Sequence, residues 1–324
     1  MENKSRNKIG VALKVAIVFI AVGYIAWRFV GMKNNYFSPE EMVAGIAIHL
    51  SVFSCVLLLM PINWLLESYK WKLVASTKIK ISMKQAIEGV LAGVTIGTAT
   101  PNRVGEFAGR IFMIKNGNRV ELLQLSFISS FCQVFVTIVF GFVGFMGMIF
   151  SNADCEREFP FLFLMFSGLF FCTLPLWINL LPISWKNKIS VIIDFSRKKF
   201  IQALFISSVR YLVYAGQFLL LFSIFNSHHP HPFENDYFSL PQIFFLVTIS
   251  YFIATMIPTF SFTEVFVRGT IAGTVFTAYD GTSSGFIFST AFGVAVLLWI
   301  INVAIPSLIG TLFIFKLKFF KSGK

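Results

Sequence analysis

Long, unbroken runs of hydrophobic residues dominate the pattern along this chain. Crossing the hydrocarbon core of a bilayer takes about 20 consecutive helical residues, and six of the runs reach that length. They cover approximately residues 11–30, 42–65, 122–150, 159–181, 200–225 and 286–315. The pattern therefore predicts six full transmembrane helices. Proline lies inside two of these runs, at Pro61 and Pro306, and predicts a local kink or helix end there.

Two further apolar stretches are each followed by a proline and a polar tip. The first covers residues 86–100 and the second 241–257, and a second short apolar arm follows each tip. A helix of about 15 residues is about 22 Å long, which is less than the hydrocarbon core of about 30 Å. The first arm is therefore too short to span, and the second is borderline. We predict two re-entrant helical hairpins, at about residues 86–116 and 241–278.

The charges in the connections predict how the chain is oriented. Lysine and arginine concentrate in residues 70–84, in 185–199 and at the C-terminus, whereas connections 152–158 and 226–237 are acidic or rich in histidine. Cytoplasmic loops carry the excess of basic residues, so both termini are expected in the cytoplasm. Basic residues flank the first hairpin and acidic residues flank the second. The two hairpins are therefore expected to enter from opposite faces, as in an inverted repeat.

The composition also favours a membrane protein. Hydrophobic residues make up 56% of the 324 residues and charged residues 13%, against about 45–50% and about 25% in soluble domains. The formal net charge of +12 is explained by basic cytoplasmic ends of the spans, so nucleic acid is not expected as a partner. The sequence thus predicts an all-α integral membrane protein, in which residues 1–324 form a single polytopic membrane domain.

The two predicted tips share a spacing of charged residues. The first reads PNRVGEFAGR and the second PTFSFTEVFVRG. In both, an arginine follows a glutamate by four positions, which is one helical turn on the same face. Either each glutamate merely neutralises its arginine, or the paired charges mark a binding site, and the sequence leaves both interpretations open. The predicted tip residues are Pro101, Asn102, Gly105, Pro258 and Thr259.

Additional arginines point to a phosphate-bearing ligand. Arg103 lies in the first tip, and Arg210 lies near the middle of the run 200–225. The planar guanidinium fork binds two phosphate oxygens at once. Four arginines against two glutamates give a formal net charge of +2, or +1 when Glu88 is counted. Arg210 has a second interpretation, as the structural partner of a hairpin glutamate. The candidate substrate-binding residues are Arg103, Glu106, Arg110, Arg210, Glu264 and Arg268.

Two other clusters carry weaker signals. The stretch NWLLESYKW places tryptophans at the cytoplasmic end of the second run, where they are ordinary interfacial anchors; a role of Glu67 or Lys70 in gating a lipid headgroup stays open. His228, His229 and His231 lie in an outer connection without the spacing of a defined metal site, and we interpret them as part of a solvated loop. We predict no metal, no cofactor and no catalytic residues, because no nucleotide-binding loop or catalytic set is visible.

The first tip carries a resemblance to a known family. The stretch GTATPNRVGEFAGR resembles the signature of the lysylphosphatidylglycerol synthase transmembrane-region family, also called flippase-like membrane proteins. The later ATMIPTFSFTEVFVRG is similar to the second motif of that family. The resemblance implies a multispan fold with re-entrant hairpins and movement of a lipid across the bilayer. We expect no synthase activity, because the soluble aminoacyl-transferase domain is missing from this sequence.

These observations predict a flippase-like lipid transporter. A phosphate-bearing lipid headgroup would cross through an Arg/Glu-lined cavity, in a bacterial-type plasma (inner) membrane. The expected partners are membrane lipids with anionic or phosphate-bearing headgroups, and an envelope glycolipid or a lipid-modifying enzyme is a further candidate. Two alternatives stay open: a membrane transferase acting on lipid-linked substrates, and a non-transporting scaffold for envelope assembly.

Overall fold

A computed structural model describes most of the chain, and all regular structure within the described residues is helical. The described residues are 39–98, 100, 103–114, 117–151, 190–226, 238–259, 261–280 and 285–314. Several predictions fall outside these ranges: the spans at residues 11–30 and 159–181, the tip residues Pro101 and Asn102, and the histidines His228, His229 and His231.

The described helices are labelled in chain order. They are α1 (Pro39–Ile48), α2 (Leu50–Ala75), α3 (Met83–Thr98), α4 (Gly105–Phe112), α5 (Arg119–Ser151), α6 (Ser190–Ile193), α7 (Arg197–Asn226), α8 (Leu240–Met256), α9 (Ser261–Asp280), α10 (Gly285–Trp299) and α11 (Ile305–Ile314). A π-helical segment, Ile300–Ala304, joins α10 to α11. By length and composition, four segments are able to cross a membrane: α2, α5, α7 and the continuous α10–α11 segment. They correspond to four of the six predicted spans and indicate an integral membrane protein.

The second predicted span has different bounds in the structure. The run 42–65 is divided at His49 between α1 and α2, and α2 continues ten residues beyond the predicted end, to Ala75. Glu67 and Lys70, which made that part look like a connection, are buried and form an ion pair of 2.8 Å between Oε2 and Nζ. Because each charge is neutralised by the other, the helix continues through them. Pro61 lies inside α2 without ending it.

The two predicted hairpins correspond to two pairs of helices, α3 with α4 and α8 with α9, and the helices within each pair pack against each other. The start and end of α8 follow from local sequence. Ser239 and Gln242 form a capping box, and Pro241 occupies the first turn, where a missing N–H costs nothing. Ile257 is extended because Pro258 follows it.

The packing of the two halves follows one repeated pattern. Helix α2 packs on α7. The first helix of each pair packs on a long helix of the other half: α3 on α11, and α8 on α5. The second helix of each pair packs on the next long helix: α4 on α5, and α9 on α10. Exchanging the two halves therefore reproduces the main contacts, with the two pairs facing each other across the centre.

Glycines bring α3 into direct backbone contact with its neighbours. A Cβ atom on Gly93 of α3 would lie 2.6 Å from the backbone oxygen of Glu106 in α4, and Gly109 lies against the backbone of Gly93. On another side of α3, Gly310 of α11 lies against the backbone of Leu91. Helix α3 is therefore held on both sides by contacts that leave no room for a side chain.

Around α8 and α9, aromatic side chains pack against several glycines instead. Phe252 and Phe245 of α8 lie over Gly141 and Gly147 of α5, and Phe288 of α10 lies over Gly273 of α9. Phe245 packs on the larger hydrophobic core, in which Phe218 stacks on Phe222 and on Phe276. Burial of such large rings contributes apolar stabilisation to this half.

We expect Gly93→Ala to lower the free energy of unfolding by about 1–3 kcal/mol, because its methyl group forces α3 and α4 apart. Gly216→Ala in α7 is the matched control: a Cβ there meets no heavy atom within 4 Å, so stability should be unchanged or slightly higher. Thermal unfolding of the purified protein in detergent measures both. Equal melting temperatures for the two variants would contradict the close backbone contact.

Candidate functional site

A cavity of about 700 Å³ lies between the two helical pairs and is also lined from α2, α5, α7 and the π-helical segment. All six predicted substrate-binding residues line it: Arg103, Glu106, Arg110, Arg210, Glu264 and Arg268. Of the predicted tip residues, Pro258 and Thr259 line the cavity. Gly105 packs against the backbone of Ile96 instead, and its N–H donates to Thr100 Oγ1 at 2.8 Å.

The carboxylate of Glu67 holds three cations on one side of the cavity. Its Oε1 accepts from Arg110 Nη2 at 2.7 Å, and its Oε2 lies 2.7 Å from Arg210 Nη1 and 2.8 Å from Lys70 Nζ. Lys70 also donates to Ser207 of α7, and Arg110 to Ser129 of α5. One carboxylate thus joins side chains from α2, α4 and α7. We call Glu67, Lys70, Arg110 and Arg210 the Glu67 cluster.

All four members of the Glu67 cluster line the cavity, and Arg210 is the most exposed of its cations. Its side chain is 19% exposed, against 3% for Arg110 and 0% for Lys70. Its Nε donates to Asn63 Oδ1 at 2.7 Å and its Nη1 to Gln133 Oε1 at 3.3 Å, while the guanidinium carbon lies 5.2 Å from the ring centre of Trp64. Amide oxygens and an aromatic face fix the guanidinium in place.

A backbone carbonyl in the π-helical segment holds Trp64. Pro306 has no N–H to donate to the carbonyl of Asn302, four residues earlier. That carbonyl accepts from Trp64 Nε1 at 3.1 Å. The Asn302 side chain accepts from Asn63 at 3.4 Å and donates to Gln217 at 3.0 Å. The distortion predicted at Pro306 therefore gives a polar contact behind Arg210, as is frequent for π-helical turns at functional sites.

The second group of charges, the tip cluster, consists of Arg103, Glu106, Glu264 and Arg268. Arg103 Nε lies 2.7 Å from Glu106 Oε1, and its Nη1 lies 3.9 Å from Glu264 Oε1 in the opposite pair. Arg268 contacts the same Glu264 oxygen through Nη2 at 2.7 Å and Nε at 2.9 Å. Arg103 has a left-handed backbone, with φ of 56°, a conformation that costs a non-glycine residue about 1 kcal/mol or more. The contacts of Arg103 connect the two helical pairs.

The expected Glu106–Arg110 pair is present, at 3.6 Å between Oε2 and Nη2, but Glu67 lies closer to Arg110, at 2.7 Å. Arg210 pairs with Glu67 rather than with a hairpin glutamate. The expected Glu264–Arg268 pair is present.

Glu67 and Lys70 are not among the predicted substrate-binding residues, because they lie between tryptophans in a stretch that resembles an interfacial anchor. Their helical spacing with Asn63, at positions i, i+4 and i+7, was the signal for a polar face within α2.

The described wall of the cavity carries a positive surplus. Its five cationic residues are Lys70, Arg103, Arg110, Arg210 and Arg268, and its three carboxylates are Glu67, Glu106 and Glu264. The formal net charge of this wall is therefore +2.

No family model matches the chain, and none of the curated proteins compared with it matches either.

We expect Glu67→Gln to destabilise the protein by about 3–5 kcal/mol, because among the described residues it leaves Lys70 and Arg210 without a carboxylate partner and Arg110 with only the 3.6 Å contact to Glu106. Lys70→Met is the matched change at the same contact. It leaves Glu67 paired with two arginines, so the loss in free energy of unfolding should be clearly smaller than for Glu67→Gln. Thermal unfolding in detergent ranks the two variants, and a smaller loss for Glu67→Gln than for Lys70→Met would contradict the central role of the carboxylate.

Proposed function

We propose that this protein moves a phosphate-bearing lipid headgroup across a membrane. The observation that carries the proposal is the cavity between the two helical pairs, whose described wall has a formal charge of +2 and includes four guanidinium groups. Ionisable groups inside a membrane protein are costly and mark pathways or sites for charged substrates. Guanidinium groups bind phosphate oxygens in pairs.

The outer surface of the long helices is apolar enough to contact the acyl chains of a lipid. Leu58, Phe127, Phe205 and Leu312 lie on four different long segments and expose most of their apolar surface. On a membrane-spanning helix such residues contact acyl chains. The proposed substrate would place its headgroup in the cavity while its tails stay in the bilayer beside these helices.

We further propose six transmembrane helices and two re-entrant hairpins that enter from opposite faces, in a bacterial-type plasma (inner) membrane with both termini cytoplasmic. The repeated packing of α3–α4 and α8–α9 supports an inverted repeat. The resemblance of GTATPNRVGEFAGR to the flippase-like family supports the same arrangement. In that arrangement, the two tips meet at mid-membrane, where the contact between Arg103 and Glu264 joins them.

The opposite entry of the two pairs predicts where single cysteines are labelled. In a cysteine-free background, Asn118→Cys, just after the first pair, should react with a membrane-impermeant maleimide only from the cytoplasmic side. Ser239→Cys, just before the second pair, should react only from the outer side. Both positions are exposed. Labelling of both cysteines from the same side would contradict the inverted arrangement.

Transport is tested with fluorescent phospholipids in proteoliposomes. We expect Arg210→Gln and Arg268→Gln to slow headgroup translocation at least about tenfold, because each removes a charge-assisted contact to phosphate. Lys199→Gln is the control. Lys199 donates to Ser76 outside the cavity, so its replacement should leave the rate unchanged.

The rates are compared only for variants with an unchanged elution profile in size-exclusion chromatography. Wild-type rates in both folded arginine variants would contradict the proposal.

A further inference from the structure

The surplus of positive charge in the cavity is unevenly distributed. In the Glu67 cluster, one carboxylate faces Lys70, Arg110 and Arg210, so this cluster alone has a formal charge of +2. In the tip cluster, two arginines face two glutamates, so the tip cluster is formally neutral. Glu106 of the tip cluster also lies 3.6 Å from Arg110, so the two clusters adjoin, and the larger share of the positive charge of the wall surrounds Glu67.

A buried surplus of two charges is unfavourable unless a ligand neutralises it. The cost of burying a charge falls when an opposite charge comes within contact distance. Lys70 and Arg110 also line the cavity but are only 0% and 3% exposed, whereas Arg210, at 19%, is the most accessible cation of the Glu67 cluster. An anion that enters the cavity would reach the surplus at Arg210.

The neighbouring tip contributes a second guanidinium group to the same cavity. Arg103 lines the cavity, and its Nη2 is buried without a hydrogen-bond partner among the described residues. Arg103 has a left-handed backbone, and its side chain contacts Glu264 of the opposite pair. Arg103 and Arg210 thus line one cavity from the tip and from a long helix, and each carries a guanidinium group of the kind that binds phosphate oxygens.

The size of the surplus selects the class of anion. A phosphodiester headgroup carries a single negative charge and would leave the described wall at +1. A phosphomonoester carries about 1.5 to 2 negative charges at pH 7 and neutralises the wall almost completely. A zwitterionic headgroup adds a cation and leaves the surplus uncompensated.

We propose that the cavity recognises a dianionic phosphate group, with the terminal phosphomonoester of a lipid as its source. This inference rests on the proposed function, to which it adds the substrate class. Free phosphate has the same chemistry, and the binding experiment separates the two sources.

The experiment compares two lipids with identical acyl chains. Phosphatidic acid has a terminal phosphomonoester, and phosphatidylmethanol has a monoanionic phosphodiester of nearly the same size. Each is titrated into the purified full chain in detergent at pH 7.5, with tryptophan fluorescence as the readout because Trp64 lies beside Arg210. We expect phosphatidic acid to bind at least about tenfold more tightly, because it brings an additional charge into a site of low dielectric constant. Equal affinities would overturn the inference.

Two substitutions to glutamine shift the charge of the wall in opposite directions. Arg103→Gln reduces the formal charge to +1 and should narrow the preference for phosphatidic acid several-fold. Glu106→Gln raises it to +3, frees Arg103 from its 2.7 Å contact and should keep or widen the preference. Lys199→Gln, outside the cavity, should match the wild type. If Arg103→Gln and Glu106→Gln prefer phosphatidic acid over phosphatidylmethanol to the same extent, the charge argument is overturned.

A third titration uses inorganic phosphate alone. Binding much weaker than that of phosphatidic acid supports a lipid source. Binding as tight as that of phosphatidic acid supports dianion recognition but contradicts the lipid function. If phosphatidylmethanol matches phosphatidic acid while proteoliposomes still translocate lipid, the charge inference fails and the proposed function stands. If proteoliposomes translocate no lipid while the protein still prefers phosphatidic acid, the proposed transport function fails and the charge inference stands.

Discussion

The packing at the centre of this protein depends on one buried carboxylate. Glu67 compensates cations from its own helix α2, from α4 and from α7, which allows those three elements to approach one another closely there. In an apolar interior, three cations without that carboxylate would repel one another and lose their hydration. The contact between the first helical pair and the two long helices is therefore electrostatic at its centre, and hydrophobic packing surrounds it.

The two halves share a packing pattern but differ in their chemistry. Helices α2 and α7 take equivalent places, yet α2 contributes the carboxylate of Glu67 and α7 contributes the guanidinium of Arg210. The tips differ as well, because Arg103 in the first has no basic counterpart in the second. A symmetric framework thus encloses an asymmetric set of charges. The asymmetry leaves the wall of the cavity with a positive surplus, most of which lies around Glu67.

The sequence predicted four of the long helices and the presence of the two helical pairs, because uninterrupted apolar runs and proline-marked tips are local signals. The helix after the second tip, α9, is 20 residues long and so exceeds the short arm that was predicted. It also identified six residues that line one cavity. It did not reveal that Glu67 would replace Glu106 as the close partner of Arg110, since that choice depends on how α2 packs against α4. The same holds for the support of Arg210 by Asn63 and Trp64, which comes from another helix. Contacts between residues on different helices depend on tertiary packing, which the spacing of residues along the sequence does not reveal.

Glycine is used in two ways around the cavity, and this determines which contacts can rearrange. Around α3, backbone meets backbone at Gly93 and Gly310, so no side-chain layer lies between α3 and its neighbours α4 and α11. Around α8, phenylalanine rings lie over Gly141 and Gly147, but Gly144 between them meets the carbonyl oxygen of Phe245 directly. The contact of α8 with α5 therefore combines ring packing, which can rearrange by a change of rotamer, with one close backbone approach.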